Sequence, residues 1–216
     1  MEASFWHERW RTNNTPFHEN QANPLLVKHF GRLGLSPGSR VFVPLCGKTL
    51  DISWLLDKGY RVAGAELSEI AIEQLFEGLG IKPNVAKMGE ILHYGAPDID
   101  IFVGDIFAVS KAALGQVDAV YDRAALVALP TETRSRYVTH LLEITNHAPQ
   151  LLLCYEYDQS VTNGPPFSVS NDEVREHYRD AFELTLFESV EVPGGLRGKV
   201  PATEHVWLLA KRGDQI

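Results

Sequence analysis

Two cysteines in 216 residues, Cys46 and Cys154, are too few for a disulfide-stapled scaffold. Both lie in apolar runs, so two buried free thiols are expected, and no CxxC or Cys/His spacing offers a metal site. Basic charge is also short: 20 Lys and Arg against 28 Asp and Glu leave a net charge of −8. That balance disfavours a general nucleic-acid or anionic-membrane surface, since both reward clustered cations. No apolar run approaches the roughly 18 residues that a membrane span needs. The N-terminal MEASFWHERWRTNNTPFHENQ has no apolar signal core. The expectation is a cytoplasmic protein, working as a monomer, with a small molecule as its partner.

One further absence concerns a motif. Gly47-Lys48-Thr49 matches the GK[ST] end of a phosphate-binding loop, but the leading glycine would fall at Phe42. Lys48 then reads as a first-turn helix residue rather than a phosphate clamp. Gly47 still allows a tight turn and close approach of a ligand, and Leu45 and Cys46 beside it present backbone and apolar surface. Such a turn suits a nucleoside better than a triphosphate.

What is present is alternation. PLLVKHFGRLG, with Leu25, Leu26, His29, Phe30 and Leu33 near one stripe, predicts a helix that Gly34 stops. RVFVPL reads as a buried strand, and residues 49–58 as a helix with Gly59 beyond its end. RVAGAEL follows as a strand, and Ser68 opens a helix running to Gly78. IDIFVGD, VDAVYD and PQLLLCYEY read as strands, with a helix from Thr131 between the last two. DEVREHYRDAF reads as a helix, and FELTLFESV and EHVWLLAKR close the chain as strands. This order predicts one α/β domain over residues 1–216, with helices on both faces of a mostly parallel sheet. The last two strands, with no helix between them, are expected to pair as an antiparallel edge.

Ligands of such sheets bind beyond the carboxyl ends of the strands, near the point where strand order reverses. Glu66 ends the second strand, nineteen residues after Gly47. An acid there can accept from both ribose hydroxyls of a nucleoside; the alternative is an exposed acid capping the next helix. Asp105, after the third strand, can accept from an exocyclic amine with Ile106 and Phe107 on the base, or can simply cap a turn. Arg123, after the fourth, either meets an anion or pairs with Asp122 or another acid. In WHERW, Trp6 and Trp10 share a helical face, so residues 1–22 are either a lid over the ligand or plain packing. The linker YDQSVTNGPPFSVSND has the composition of a loop that lines a site.

The segments WHERWRTNNTPFH, VFVPLCGKTLDISWL, AELSEIAIEQ, GDIF, VDAVYDRAALVAL and NGPPFSVS together resemble the thiopurine S-methyltransferase family over nearly the whole chain. The resemblance implies the class I methyltransferase fold, Rossmann-like, with a seven-stranded sheet ending in an antiparallel hairpin. It implies S-adenosyl-L-methionine as cofactor and S-adenosyl-L-homocysteine as product. The acceptors implied are thiopurines and aromatic thiols, with selenium and tellurium species for bacterial members. It assigns cofactor contacts to Trp6, Trp10, Leu45, Gly47, Glu66, Asp105, Ile106 and Arg123. Substrate contacts fall to Phe17, Arg123 and Arg197. The implied reaction is in-line displacement at the sulfonium methyl, with Arg123 stabilising the substrate anion and Glu8 or His18 as candidate proton acceptors. Two rival readings are a nucleotide phosphotransferase, favoured only by GKT, and a non-catalytic binding protein of the same fold.

Overall fold

Period-two alternation in the apolar runs decides which helices lie on which face of the sheet. The computed structural model describes residues 3–213. In chain order its elements begin with α1 (Ala3–Arg11), α2 (Pro24–His29), β1 (Arg40–Pro44), α3 (Leu50–Asp57), β2 (Arg61–Glu66) and α4 (Glu69–Leu79). Next come β3 (Asn84–Met88), β4 (Ile91–Ala96), β5 (Ile99–Val103), α5 (Lys111–Leu114), β6 (Ala119–Arg123) and α6 (Thr131–Thr145). The chain continues with β7 (Gln150–Tyr157), α7 (Asn171–Tyr178), β8 (Glu183–Glu191) and β9 (Ala202–Ala210).

Val41 and Val43 of β1, Val62 of β2 and Leu151 and Leu153 of β7 pack with Leu26, Ile52, Leu55, Ile72 and Phe76 of α2, α3 and α4. Their neighbours Phe42, Ala63, Leu152 and Cys154 point the other way, against Tyr137, Val138 and Leu141 of α6 and Val174 and Tyr178 of α7. Strands buried on both faces are near-continuous apolar runs for this reason. Cys46 and Cys154 are both buried free thiols.

The sheet has nine strands in the order β3-β4-β5-β2-β1-β6-β7-β9-β8. Strands β5, β2, β1, β6 and β7 are parallel, and β9 and β8 add antiparallel beyond β7. From β5 to β8 this is the expected seven-stranded arrangement with its terminal antiparallel hairpin. The β3–β4 hairpin, which pairs antiparallel with β5, was not foreseen and brings the count to nine. Every residue of β3 is exposed, so it carries no apolar alternation from which to read a strand.

Local chemistry sets the helix starts. Thr49 caps α3 by accepting from Asp51 N at 3.3 Å, which makes GKT a helix entry. Ser68 stands at the cap position of α4, yet its hydroxyl makes no capping bond. That helix ends two residues later than expected, at Gly80 in the left-handed conformation rather than at Gly78. Chain order reverses around β1, which lies between β2 and β6. The crevice at their carboxyl ends is where a ligand is expected.

Candidate active site

A cavity of about 620 Å³ opens there. The loop after β1 bends sharply, with Leu45 at φ 48° and Gly47 at φ 53°. For Leu45 this is an uncommon conformation, and Cys46 N helps hold it by donating to Ala65 O of β2 at 2.9 Å. Gly47 is constrained twice: its φ favours glycine, and a Cβ there would lie 3.0 Å from the Trp10 ring. Trp10 belongs to α1, is 3% exposed, and meets Phe17 edge to face at 5.6 Å. The N-terminal segment is therefore folded against the first loop, and Trp6, Trp10 and Phe17 all line the cavity.

Glu66 is buried at the end of β2 rather than exposed. Its two carboxylate oxygens accept from Gly47 N at 2.8 Å and Ser68 N at 2.9 Å, tying the loop after β1 to the start of α4. Burial pushes its pKa up, while the bonds from Ser68 and Gly47 oppose that rise. A carboxylate has about four acceptor directions, so two bonds leave room for hydroxyls of a ligand.

Asp105 is exposed at the cavity rim and accepts from Phe107 N at 3.0 Å, capping the short turn that follows β5. Ile106 and Phe107 line the cavity beside it. His140 Nε2 reaches Ile106 O at 2.9 Å and fixes that turn from α6. Lys48, the lysine of GKT, donates to Gln74 at 2.8 Å and lies over the Trp10 ring at 6.0 Å. It already has a partner and packs on Trp10, but it lies in the turn before the Thr49 cap rather than in the first turn of α3 as expected, because the chain straightens into the helix only after that cap.

Arg123 ends β6 and is nearly buried, its guanidinium paired with Glu19. Asp122 is not its partner: that carboxylate accepts from Tyr137 Oη at 2.7 Å and Leu126 N at 3.1 Å. Burial alone would lower the Arg123 pKa, but Tyr121, Tyr155, Glu19 and Asp51 drive it upward, so it stays cationic. Arg197 (φ 55°) reaches the cavity from the β8–β9 connection and donates to Pro165 O at 2.6 Å. Pro165 and Pro166, from the long linker, form part of the same wall.

The cavity thus gathers Trp6, Trp10, Phe17, Leu45, Gly47, Glu66, Asp105, Ile106, Arg123 and Arg197. Of the two candidate proton acceptors, Glu8 is exposed and engaged with Arg11 at 2.7 Å, away from the lining. His18 does line the cavity, and burial, Lys48 and Arg123 lower its pKa. Sequence reasoning missed Arg9, Glu19, Asp51, Tyr121 and Tyr155, which also face the cavity. No spacing rule links Glu19 to Arg123, 104 residues away. Among the described residues no cluster of metal ligands occurs.

A seven-stranded core with its ligand crevice at the reversal of strand order defines the class I methyltransferase architecture. Among solved structures, 1,6-didemethyltoxoflavin-N1-methyltransferase from Burkholderia thailandensis superposes with TM-score 0.65 at 14% identity, covering 97% of this chain and 87% of that one. The model of the family Thiopurine S-methyltransferase (TPMT) matches residues 1–212. A thiopurine S-methyltransferase from Xanthobacter autotrophicus is 56% identical over 212 residues, 98% of this chain and 100% of that protein. One from Teredinibacter turnerae is 50% identical over 211 residues, 98% of each. The chain belongs to the thiopurine S-methyltransferase family, and is an enzyme that transfers methyl groups from S-adenosylmethionine. The residues present suit that cofactor: a buried acceptor carboxylate at Glu66, a glycine turn at Gly47, and apolar walls from Leu45, Ile106 and Trp10.

Proposed function

We propose that the acceptor is a soft nucleophile, the sulfur of a thiopurine or of another aromatic or heterocyclic thiol, with small selenium and tellurium oxyanions as further acceptors. The observation that carries this reading is Arg123, the nearly buried cation of the cavity, set beside the aromatic and aliphatic walls of Trp6, Trp10, Phe17, Val127 and Leu129. A flat apolar anion fits such surroundings better than a sugar, a peptide or a polyphosphate. The names of the relatives support the thiopurine part.

In this reading Glu66 holds the ribose, Gly47 and Leu45 offer backbone to the cofactor, and Asp105 and Ile106 flank its base. Bound S-adenosylmethionine supplies an electrophilic methyl on a sulfonium, whose departure as a neutral thioether needs no acid. Arg123 steadies the thiolate, the reactive form of a thiol. Phe17 and Arg197 complete the acceptor side. Heterocyclic thiols ionise near neutral pH, so no strong base is required. The chain's contribution is then alignment, worth up to about 7–11 kcal/mol in well-oriented systems, and exclusion of water.

The N-terminal segment acts as the lid. Trp6, Trp10 and Phe17 on the cavity wall support this, and residues 1–2 of the 1–22 span lie outside the described residues. The rest of the reading is one domain, working as a monomer in the cytoplasm without nucleic-acid or membrane partners. Its net charge of −8 accords with that. No helix among the described residues is long and apolar enough to cross a membrane.

The test is methyl transfer from labelled S-adenosylmethionine to thiopurines, thiophenols, selenite and tellurite, with single-turnover rates for wild type and Arg123→Ala. The variant should lose most of its rate on thiols. Equal rates from pH 6 to 9 would remove Arg123 from the anion role.

A further inference from the structure

Arg123 serves more carboxylates than its one charge can balance. Glu19 holds its guanidinium directly, and Asp51 and Glu204 act on the same charge through space. Its Nε, buried, has no partner. An acceptor anion arriving at this guanidinium would bring a fourth negative charge into a poorly solvated space. Like charges there repel far more than in water. One of the three carboxylates has to leave or take up a proton.

Their attachments decide which. Asp51 is 1% exposed and fixed from two sides, by Asn23 N at 2.7 Å and Tyr121 Oη at 3.1 Å. Glu204 sits within β9, in register with Tyr155 of β7 and Val190 of β8. Glu19 belongs to neither helix nor strand, in the connection between α1 and α2, and its side chain is 40% exposed. It can swing to water while the other two cannot.

We propose that Glu19 is a specificity-determining residue, the resident counter-ion of Arg123, which an anionic acceptor must displace. It thereby ranks acceptors by charge: a thiolate that also carries a carboxylate exchanges with Glu19 most fully, while one whose only charge is the thiolate displaces it less. Because Glu19 lies two residues after Phe17, the exchange also frees the segment that carries the aromatic wall. The inference rests on the reading of Arg123 as the anion seat.

Two aromatic thiols that differ only in a ring carboxylate or carboxamide, with labelled S-adenosylmethionine and the full chain, provide the test. Glu19→Gln should lower KM for the carboxylate thiol relative to the carboxamide by about tenfold, with kcat changed far less. Hydrogen exchange on the unaltered protein is a second measurement. The carboxylate thiol should speed exchange across residues 17–22 more than the carboxamide does. A KM ratio within about twofold of wild type, or no difference in exchange between the two thiols, overturns the proposal. Arg123→Ala separates the failures. If it spares both thiols, the anion seat itself is wrong and the Glu19 role falls with it. If it weakens the carboxylate thiol while Glu19→Gln leaves the ratio unmoved, only the counter-ion role is lost.

Discussion

Replacing Glu66 by Gln separates its structural work from its ligand work. In the fold each carboxylate oxygen accepts one backbone N–H, from Gly47 and from Ser68. Gln keeps one oxygen and turns an NH2 toward the other donor, so one charge-assisted bond is lost. Such a bond contributes about 1.5–3 kcal/mol, and the abandoned N–H is buried. Removing a buried charge offsets part of that loss, since burial already raises the Glu66 pKa. The expected net cost is about 2 kcal/mol, or roughly 4–8 °C in melting temperature for a chain of this size. If Glu66 also accepts from the ribose, loss of a second such bond weakens cofactor binding by roughly 10- to 100-fold. Calorimetric titration with S-adenosylmethionine and S-adenosylhomocysteine, beside thermal melts of the ligand-free protein, reads both quantities. A lowered melting point with undiminished affinity would refute the ribose role and leave Glu66 as a strut between two loops. Unchanged values of both would refute the hydrogen-bond pattern itself.

Gly47→Ala should cost about 1–2 kcal/mol from its left-handed backbone, and more where the new Cβ meets Trp10 at 3.0 Å; thermal melts and cofactor titration should both show the loss. Arg134→Ala removes a side chain 1% exposed that pairs with Glu173 at 2.6 Å, and should lose about 3–5 kcal/mol in urea unfolding. Lys48→Ala should change S-adenosylmethionine affinity by less than about threefold, and ATP binding by either form would restore the triphosphate reading. Burial raises the pKa of Asp122 to about 6 from 3.8, so the fold favours its protonated form. Stability should therefore fall as pH rises from about 4 to 6, by about 3 kcal/mol from this group. Asp122→Asn should flatten that part of the urea-unfolding profile.

Elements that bury apolar side chains announced themselves in the sequence, and those that do not stayed hidden. Val41, Phe42 and Val43 made β1 readable because both faces of the strand are covered. Asn84–Met88 forms a strand only by pairing with β4, and nothing in NVAKM requires it. Within the site the same division holds. Glu66 was found because the chain between β1 and β2 has a nearly constant length, which converts a spacing into a position. Glu19 and Asp51 reach the cavity through tertiary folding alone, from the connection between α1 and α2 and from the first turn of α3. Lys48 misled through a motif whose last three residues also describe an ordinary helix entry.

The outermost strands of the nine-stranded sheet have a bearing on how molecules of this chain meet one another. An uncapped strand edge invites a stray strand from a second molecule to add on. At one end β3 is short and exposed and carries Lys87. At the other, β8 breaks register between Leu186 and Glu188, and Lys28 and His29 hold the Glu188 carboxylate there. A kinked, charged border and a brief basic one both make poor templates for strand addition. Straightening β8 by deleting Phe187 and replacing Lys87 with valine would give two smooth borders, and the expected penalty is self-association at high concentration.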